Sequence, residues 1–216
     1  MRIIDLSHPI TPDMPLYPGT PAPTLEPAHT RAADGFLEHR LVITTHVGTH
    51  VDAPAHLLDD GATVDQLPCD RFMGRAGVLD AGRGDDGRVD VARLDAQRDR
   101  IQGVSFVLLR TGWSRHWGTP AYLEGFPCLT RAAARWLAEH GVRGFGVDTI
   151  SVDPVGAPEL TVHHTLLEAG LVLVENLTNL DQLPGQPFLF SALPLNLHGA
   201  DGSPVRAVAV VDGLCL

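Results

Sequence analysis

The stretch His46-Val47-Gly48-Thr49-His50-Val51-Asp52-Ala53-Pro54-Ala55-His56 puts three imidazoles and one carboxylate within eleven residues. Nitrogen and hard-oxygen donors at that density suit a divalent transition metal. Such groups are seldom gathered on an apolar strand unless a cation holds them. Thr44, Thr45, Val47, Thr49 and Val51 are β-branched, which disfavours helix and predicts a strand. Alternate residues of a strand share a face, so His46, His50 and Asp52 point the same way. At the rise of a strand, His50 and Asp52 stand roughly 6.6 Å apart and can meet on one ion, whereas His46 and His50 stand roughly 13 Å apart and cannot. Gly48 is the predicted remedy, because glycine tolerates the bulge or sharp bend that folds His46 back. A helix would also pair His46 with His50, but a glycine within a β-branched run argues against it. Pro54 ends the ladder and fixes a turn, with His56 just past it. Mixed His/Asp sites often leave a coordination position open for water, which predicts an enzyme rather than a binding module.

Around this cluster the chain runs to 216 residues, 44% hydrophobic, with 22 Gly and 17 Pro. That predicts one domain over residues 1–216 with a sizeable core and many turns. A net charge of −10 argues against nucleic acid and acidic membranes as partners and leaves a small-molecule substrate. No run of 18 apolar residues predicts a membrane span. The N-terminus turns polar too early for a signal peptide and reads as a first strand. Cys69, Cys128 and Cys215 are odd in number and widely spaced, which fits a reducing cytoplasm better than a disulfide framework.

Residues 10–36 are proline-rich and read as irregular, with Met14-Pro15-Leu16-Tyr17-Pro18-Gly19 as an ordered loop. Gly82 to Gly87 reads as a polar turn. Val104 to Arg110 predicts a buried strand. Thr130 can cap a helix ending at Gly141, and Thr161 a second helix ending at Gly170. Strands are predicted at Gly144 to Val147, Leu171 to Glu175 and Val205 to Val211. This alternation points to an α/β protein with a mixed sheet. Glu175 ends the apolar run Leu171-Val172-Leu173-Val174, where a carboxylate is costly to bury unless paired or metal-bound. His163 and His164 lie on the helix before it. Spacing alone does not say which of them, if either, meets the first cluster.

The segment His46 to His56 resembles the HxGTHxDxPxH signature of the cyclase and bacterial kynurenine formamidase family, with every fixed letter present. The block from His163-His164-Thr165-Leu166-Leu167 to Glu175-Asn176-Leu177 resembles the family's second ligand block, whose spacing selects His163. Asp5-Leu6-Ser7, Arg110-Thr111-Gly112-Trp113 and the segment Gly146 to Asp153 are similar too, so the likeness spans nearly the whole chain.

The resemblance implies a mixed β-sheet or barrel with flanking helices, of the swivelling β/β/α type. It implies that His46, His50 and Asp52 bind one metal, and that Asp52, His163 and Glu175 complete a second site. His56 would be the acid/base residue. The metal would be zinc, as two ions or one, with manganese in some members, and the assembly a homodimer or homotetramer. The implied activity is arylformamidase, turning N-formylkynurenine into kynurenine and formate in tryptophan catabolism, with metal-bound hydroxide attacking the carbonyl. Tyr17 and Thr20 replace the family's tryptophan and aspartate in Pro15-Leu16-Tyr17-Pro18-Gly19-Thr20. Tyr17 can still stack on a substrate ring. Opening of a cyclic amide such as isatin and a biosynthetic cyclase are alternatives within the family. A structural metal-binding domain is the alternative outside it, and His56, an imidazole beyond the ligand set, speaks against that.

Overall fold

The computed structural model describes residues 1–82 and 87–211. Its strands begin with Arg2–Asp5 (β1), Thr24–His29 (β2), Glu38–Val42 (β3), His50–Asp52 (β4), Met73–Asp80 (β5), Arg88–Val89 (β6) and Phe106–Arg110 (β7). Cys128–Leu129 (β8), Gly144–Val147 (β9), Val172–Glu175 (β10), Phe188–Ser191 (β11), Gly202–Pro204 (β12) and Val208–Val211 (β13) follow. The α-helices are Arg31–Asp34 (α1), Val91–Asp95 (α2), Arg131–Glu139 (α3) and Thr161–Glu168 (α4).

Nine strands form one mixed sheet in the order β1-β13-β11-β5-β7-β9-β10-β4-β12. Its middle, β5-β7-β9-β10, is parallel, and its flanks are antiparallel. Parallel strands need cover on both faces, so their sequences are mostly apolar, with charged residues chiefly at their ends. Alternate residues of β7 show the consequence. Phe106 and Leu108 face one core with Ile4, Val51, Val174, Phe190 and Ala209, side chains drawn from across the sheet. The sheet therefore curls around that core as a half barrel. Val107 and Leu109 face a second core, which α2, α3 and α4 cover with Leu94, Ala133, Leu137, Val162 and Leu166. Gly144 and Gly146 occupy the concave face of β9. A Cβ on Gly144 would stand 2.2 Å from the Phe106 ring, so glycine is what lets that ring fill the curve.

The predicted α/β class, the first strand, the strand at Phe106–Arg110 and the Thr130-capped helix are all present; the Thr130 hydroxyl accepts from the Ala133 N–H at 3.2 Å. Four readings need correction. The β-branched stretch before His50 is not strand; residues 45–49 turn, and only His50–Asp52 pairs. Residues 10–36 are not irregular throughout, because Thr24–His29 pairs with Glu38–Val42 in a separate exposed ribbon. Pro27 fits there beside a register shift, where a missing donor is tolerated. Thr161 is the first helical residue rather than the cap. The Asp153 carboxylate caps α4 instead, accepting from the N–H groups of Val162 and His163. The last strand begins at Val208, and Gly202–Pro204, which pairs with β4, was not foreseen. The predicted turn at Gly82 to Gly87 falls mostly outside the described residues. No described helix is long and apolar enough to cross a membrane.

Candidate metal centre and active site

Register builds the inner part of the site. In the antiparallel pair of β10 with β4, Glu175 lies opposite His50 and Leu173 opposite Asp52. Cross-strand neighbours share a face, so His50, Asp52 and Glu175 all point toward the helix-covered side. From that side α4 contributes His163. Its Nε2 lies 3.2 Å from Glu175 Oε1 and 3.8 Å from Asp52 Oδ2. His50 Nε2 lies 3.2 Å from Asp52 Oδ1 and 3.6 Å from Glu175 Oε2. The backbone N–H of Val152 donates to Glu175 Oε1 at 2.9 Å.

His46 reaches the site by a bend. Gly48 takes φ +63°, in the left-handed region, and the His46 and His50 rings come to a centroid distance of 5.1 Å. Gly202 gives the ring room: a Cβ there would stand 2.7 Å from His46 Cε1. His46 Nδ1 is 2.7 Å from Asp52 Oδ1, and its Nε2 is 2.7 Å from Asp201 Oδ2. Beyond Pro54, a turn of 3-10 helix at Pro54–His56 carries His56, whose Nδ1 is 3.3 Å from the same Asp201 oxygen.

The electrostatics follow from this packing. Burial disfavours the charged form of His46, but Asp52 and Asp201 outweigh it and raise the ring to about 9. Burial is likewise outweighed at His163, where Asp153 and Glu175 raise the ring to about 10. Burial also opposes ionisation of Asp52, yet His50 and His46 hold its carboxyl well below the ordinary range. His56 differs: burial dominates, and its pKa is lowered.

These residues fit a divalent cation. The donor atoms of His46, His50 and Asp52 lie within 4.8 Å of one another, and so do those of Asp52, His163 and Glu175. Asp52 Oδ2 is buried with no hydrogen-bond partner, an expensive state that a cation would relieve. The second ring nitrogens are already engaged. His50 Nδ1–H donates to the Gly48 carbonyl at 2.8 Å, and His163 Nδ1–H to Asp153 Oδ2 at 2.8 Å. With that proton held on Nδ1, Nε2 is the nitrogen aimed inward and left to a cation once the ring is neutral, the pattern of metal-binding histidines.

All six residues predicted as ligands or acid/base group are therefore brought together, with Tyr17 at the rim. A cavity of about 290 Å³ opens onto them, walled by Tyr17, Thr20, Ile150 and Leu160. The Tyr17 hydroxyl accepts from the Gly156 N–H at 3.2 Å. His164 does not line this cavity. Asp201 and Asp153 were missed. Asp201 sits in Gly199-Ala200-Asp201-Gly202-Ser203, which reads as an ordinary turn. Asp153 ends the segment Gly146 to Asp153, in which no local pattern marks it as a partner of His163.

The profile of the family described as putative cyclase matches residues 4–154. The chain belongs to the cyclase family. It is 34% identical over 206 residues to the kynurenine formamidase of Bacillus thuringiensis strain Al Hakam, covering 95% of each protein. It is similar to isatin hydrolase A from Labrenzia aggregata bound to benzyl benzoate, with a TM-score of 0.87, 31% identity, and coverage of 96% of this chain and 93% of that one. It is also similar to a structure described as a potential metal-dependent hydrolase with cyclase activity, with a TM-score of 0.78, 28% identity and 96% coverage of both. This cyclase-family chain is a metal-dependent amide hydrolase.

Proposed function

We propose that the chain is an arylformamidase, adding water across the C–N bond of an N-formyl aryl amine to give formate and the free amine. N-formylkynurenine, giving kynurenine, is the substrate its formamidase relatives suggest. The observation that carries this reading is the convergence of His50 Nε2, His163 Nε2, Asp52 and Glu175 on one buried point, with both Nδ1 atoms engaged elsewhere. Imidazole and carboxylate donors suit zinc first and manganese next. His46, His50 and Asp52 would hold one ion, and Asp52, His163 and Glu175 a second. When bound, such an ion makes water nucleophilic at neutral pH and polarises a carbonyl oxygen.

The protein's own groups do the rest. His56 is neutral at pH 7 because burial lowers its pKa, so it can accept a proton and pass it to the leaving nitrogen. An aniline nitrogen leaves more readily than an alkyl amine, which favours an aryl substrate. Tyr17 is held in place by Gly156 and packs against the small core formed by Tyr122, Phe126, Cys128 and Ile150, so its ring is fixed where an aromatic substrate can stack.

A second reading is favoured by one feature. No Arg lines the cavity among the described residues, and the chain has no Lys, so the α-carboxylate of N-formylkynurenine meets no guanidinium or ammonium there. A compact neutral cyclic amide of the isatin type needs none. Spectroscopic assays of the zinc- and manganese-loaded protein on N-formylkynurenine and isatin, run side by side, separate the two. Faster turnover of N-formylkynurenine is the expected result, faster turnover of isatin selects the second reading, and turnover of neither would sink both.

Assembly as a homodimer or homotetramer is supported by the exposed apolar side chains Leu25, Phe36, Leu37 and Leu41 around the β2–β3 ribbon. A monomeric mass by light scattering would refute it. Placement in the cytoplasm is supported by Cys69 and Cys128, both free.

A further inference from the structure

Asp201 joins two rings that the proposed reaction uses differently. Its Oδ2 faces both His46 Nε2 at 2.7 Å and His56 Nδ1 at 3.3 Å. The carboxylate is itself held. Thr45 Oγ1–H donates to Oδ1 at 2.9 Å, and the Asp201 carbonyl accepts from the Ala53 N–H at 2.9 Å. The next residue, Gly202, leaves no space for a side chain beside His46, so the same tight turn that admits the ring also delivers the carboxylate.

We propose that Asp201 is a positioning residue that fixes the tautomers of both rings, leaving Nδ1 of His46 for the cation and Nε2 of His56 as the atom that exchanges protons with substrate. An ionised carboxylate only accepts hydrogen bonds, so each ring nitrogen facing it must carry a proton. A neutral imidazole has one N–H, so a proton held on His56 Nδ1 puts the lone pair on Nε2. In the opposite tautomer a lone pair would face the carboxylate at 3.3 Å, which is repulsive. His56 Nε2 makes no hydrogen bond among the described residues, and the ring lines the cavity. His46 faces a carboxylate from both nitrogens, Asp52 Oδ1 from Nδ1 and Asp201 Oδ2 from Nε2, so the cation-free ring carries both protons; a cation at the ligand side displaces the proton on Nδ1, and Asp201 keeps the one on Nε2. One acidic side chain thereby sets a metal ligand and a proton carrier together. Asp201 touches no substrate; it acts through the two rings. Only the assignment of His56 Nε2 to proton exchange rests on the hydrolase reading above.

The test is long-range ¹⁵N–¹H correlation of the histidine rings at pH 8, with and without zinc, beside steady-state kinetics. The wild-type protein should show His56 as the Nδ1–H tautomer in both states. Asp201→Ala should turn that signal into a mixture of tautomers. It should lower kcat roughly 10- to 100-fold and weaken zinc binding by about tenfold, the cost of losing an outer partner of a ligand, with KM changed less than about threefold. Thr45→Val leaves Oδ2 in place and should keep the wild-type tautomers. An Nε2–H tautomer at His56 in the wild-type protein overturns the proposal, and this needs no variant to fold. So does an Asp201→Ala protein with unchanged tautomers and kcat. Because the spectra involve no substrate, failure to hydrolyse either amide would remove the functional reading while leaving the tautomer assignment standing.

Discussion

His50, Asp52, His163 and Glu175 stand on regular elements with side-chain exposures of 4%, 1%, 5% and 6%, whereas His46, His56 and Asp201 come from bends and turns and are 23%, 26% and 40% exposed. The inner half is set by strand register and by one helix packed on the sheet. It cannot move without breaking β4–β10 pairing or the core around Leu166 and Leu173. The outer half depends on two glycines and one bridging carboxylate, so it can be perturbed without unfolding the protein. Depth thus assigns work: the buried groups suit permanent charge balance, and the half-buried ones suit contact with substrate and exchange of protons.

If that division holds, the largest effects come from the inner half. Asp52 offers its two oxygens to opposite sides, Oδ1 to His46 and His50 and Oδ2 toward His163. Asp52→Ala should weaken cation binding more than about 100-fold, beyond the range for losing an outer partner, with metal content after desalting as the measure. Full metal content would refute the ligand assignment. pH should act through the same groups. With His46 raised to about 9 and His163 to about 10, both rings are protonated at pH 7 in the cation-free chain and must shed protons to bind. Apparent affinity should therefore fall roughly tenfold per unit below pH about 9 at the site of His46 and below about 10 at the site of His163, one proton being displaced at each. Calorimetry in buffers of different ionisation enthalpy counts those protons, and a count of zero would contradict the assignment of both rings as ligands.

Local chemistry in the sequence made much of this legible. Gly48 and Pro54 announced the bend between His46 and His56, although the β-branched residues before His50 pointed to a strand that is a turn, and the apolar run before Glu175 announced a buried strand ending in a carboxylate. Thr130 and Gly141 bounded α3 because capping is read within one turn. Non-local facts were not legible. Nothing in residues 172–175 says that Glu175 falls opposite His50, because register depends on how two distant strands align. The Asp153 cap of α4 lies eight residues before its helix, outside the range of a local motif. The β2–β3 ribbon was hidden by Pro23 and Pro27, which oppose a central strand but not an exposed edge. Asp201 gave no signal, since an aspartate flanked by glycine and alanine looks like any polar turn.

Effects at the outer half should divide, falling on turnover at His56 and on binding of the ion at His46. His56→Ala is expected to lower kcat by about 10²–10⁴ while leaving metal content near normal, because a general acid/base contributes on that scale. Unchanged turnover would remove the role. Gly202→Ala tests whether space alone keeps His46 in place. Its Cβ would meet His46 Cε1 at 2.7 Å and the Val51 carbonyl at 2.7 Å, and the carbonyl belongs to a paired strand that cannot yield easily. The ring must then move, and cation affinity should fall roughly 10- to 100-fold, as when a ligand loses its outer support. Wild-type affinity would mean that the turn before β12 adapts more than its pairing with β4 suggests.

The smallest effect is expected at the outermost group. Tyr17 combines a ring at the cavity wall with a hydroxyl anchored to the Gly156 N–H, and two variants separate those parts. Tyr17→Phe keeps the ring and loses the anchor. An exposed neutral hydrogen bond contributes about 1 kcal/mol or less, so KM should rise no more than about fivefold. Tyr17→Leu removes the aromatic face as well. Aromatic pairing adds about 0.5–1.5 kcal/mol beyond burial, so KM for an aryl substrate should rise a further ~2- to 12-fold with kcat nearly constant. A loss confined to kcat would move Tyr17 from substrate binding to shaping the reacting centre, and the boundary between inner and outer halves would then lie further from His56 than its exposure indicates.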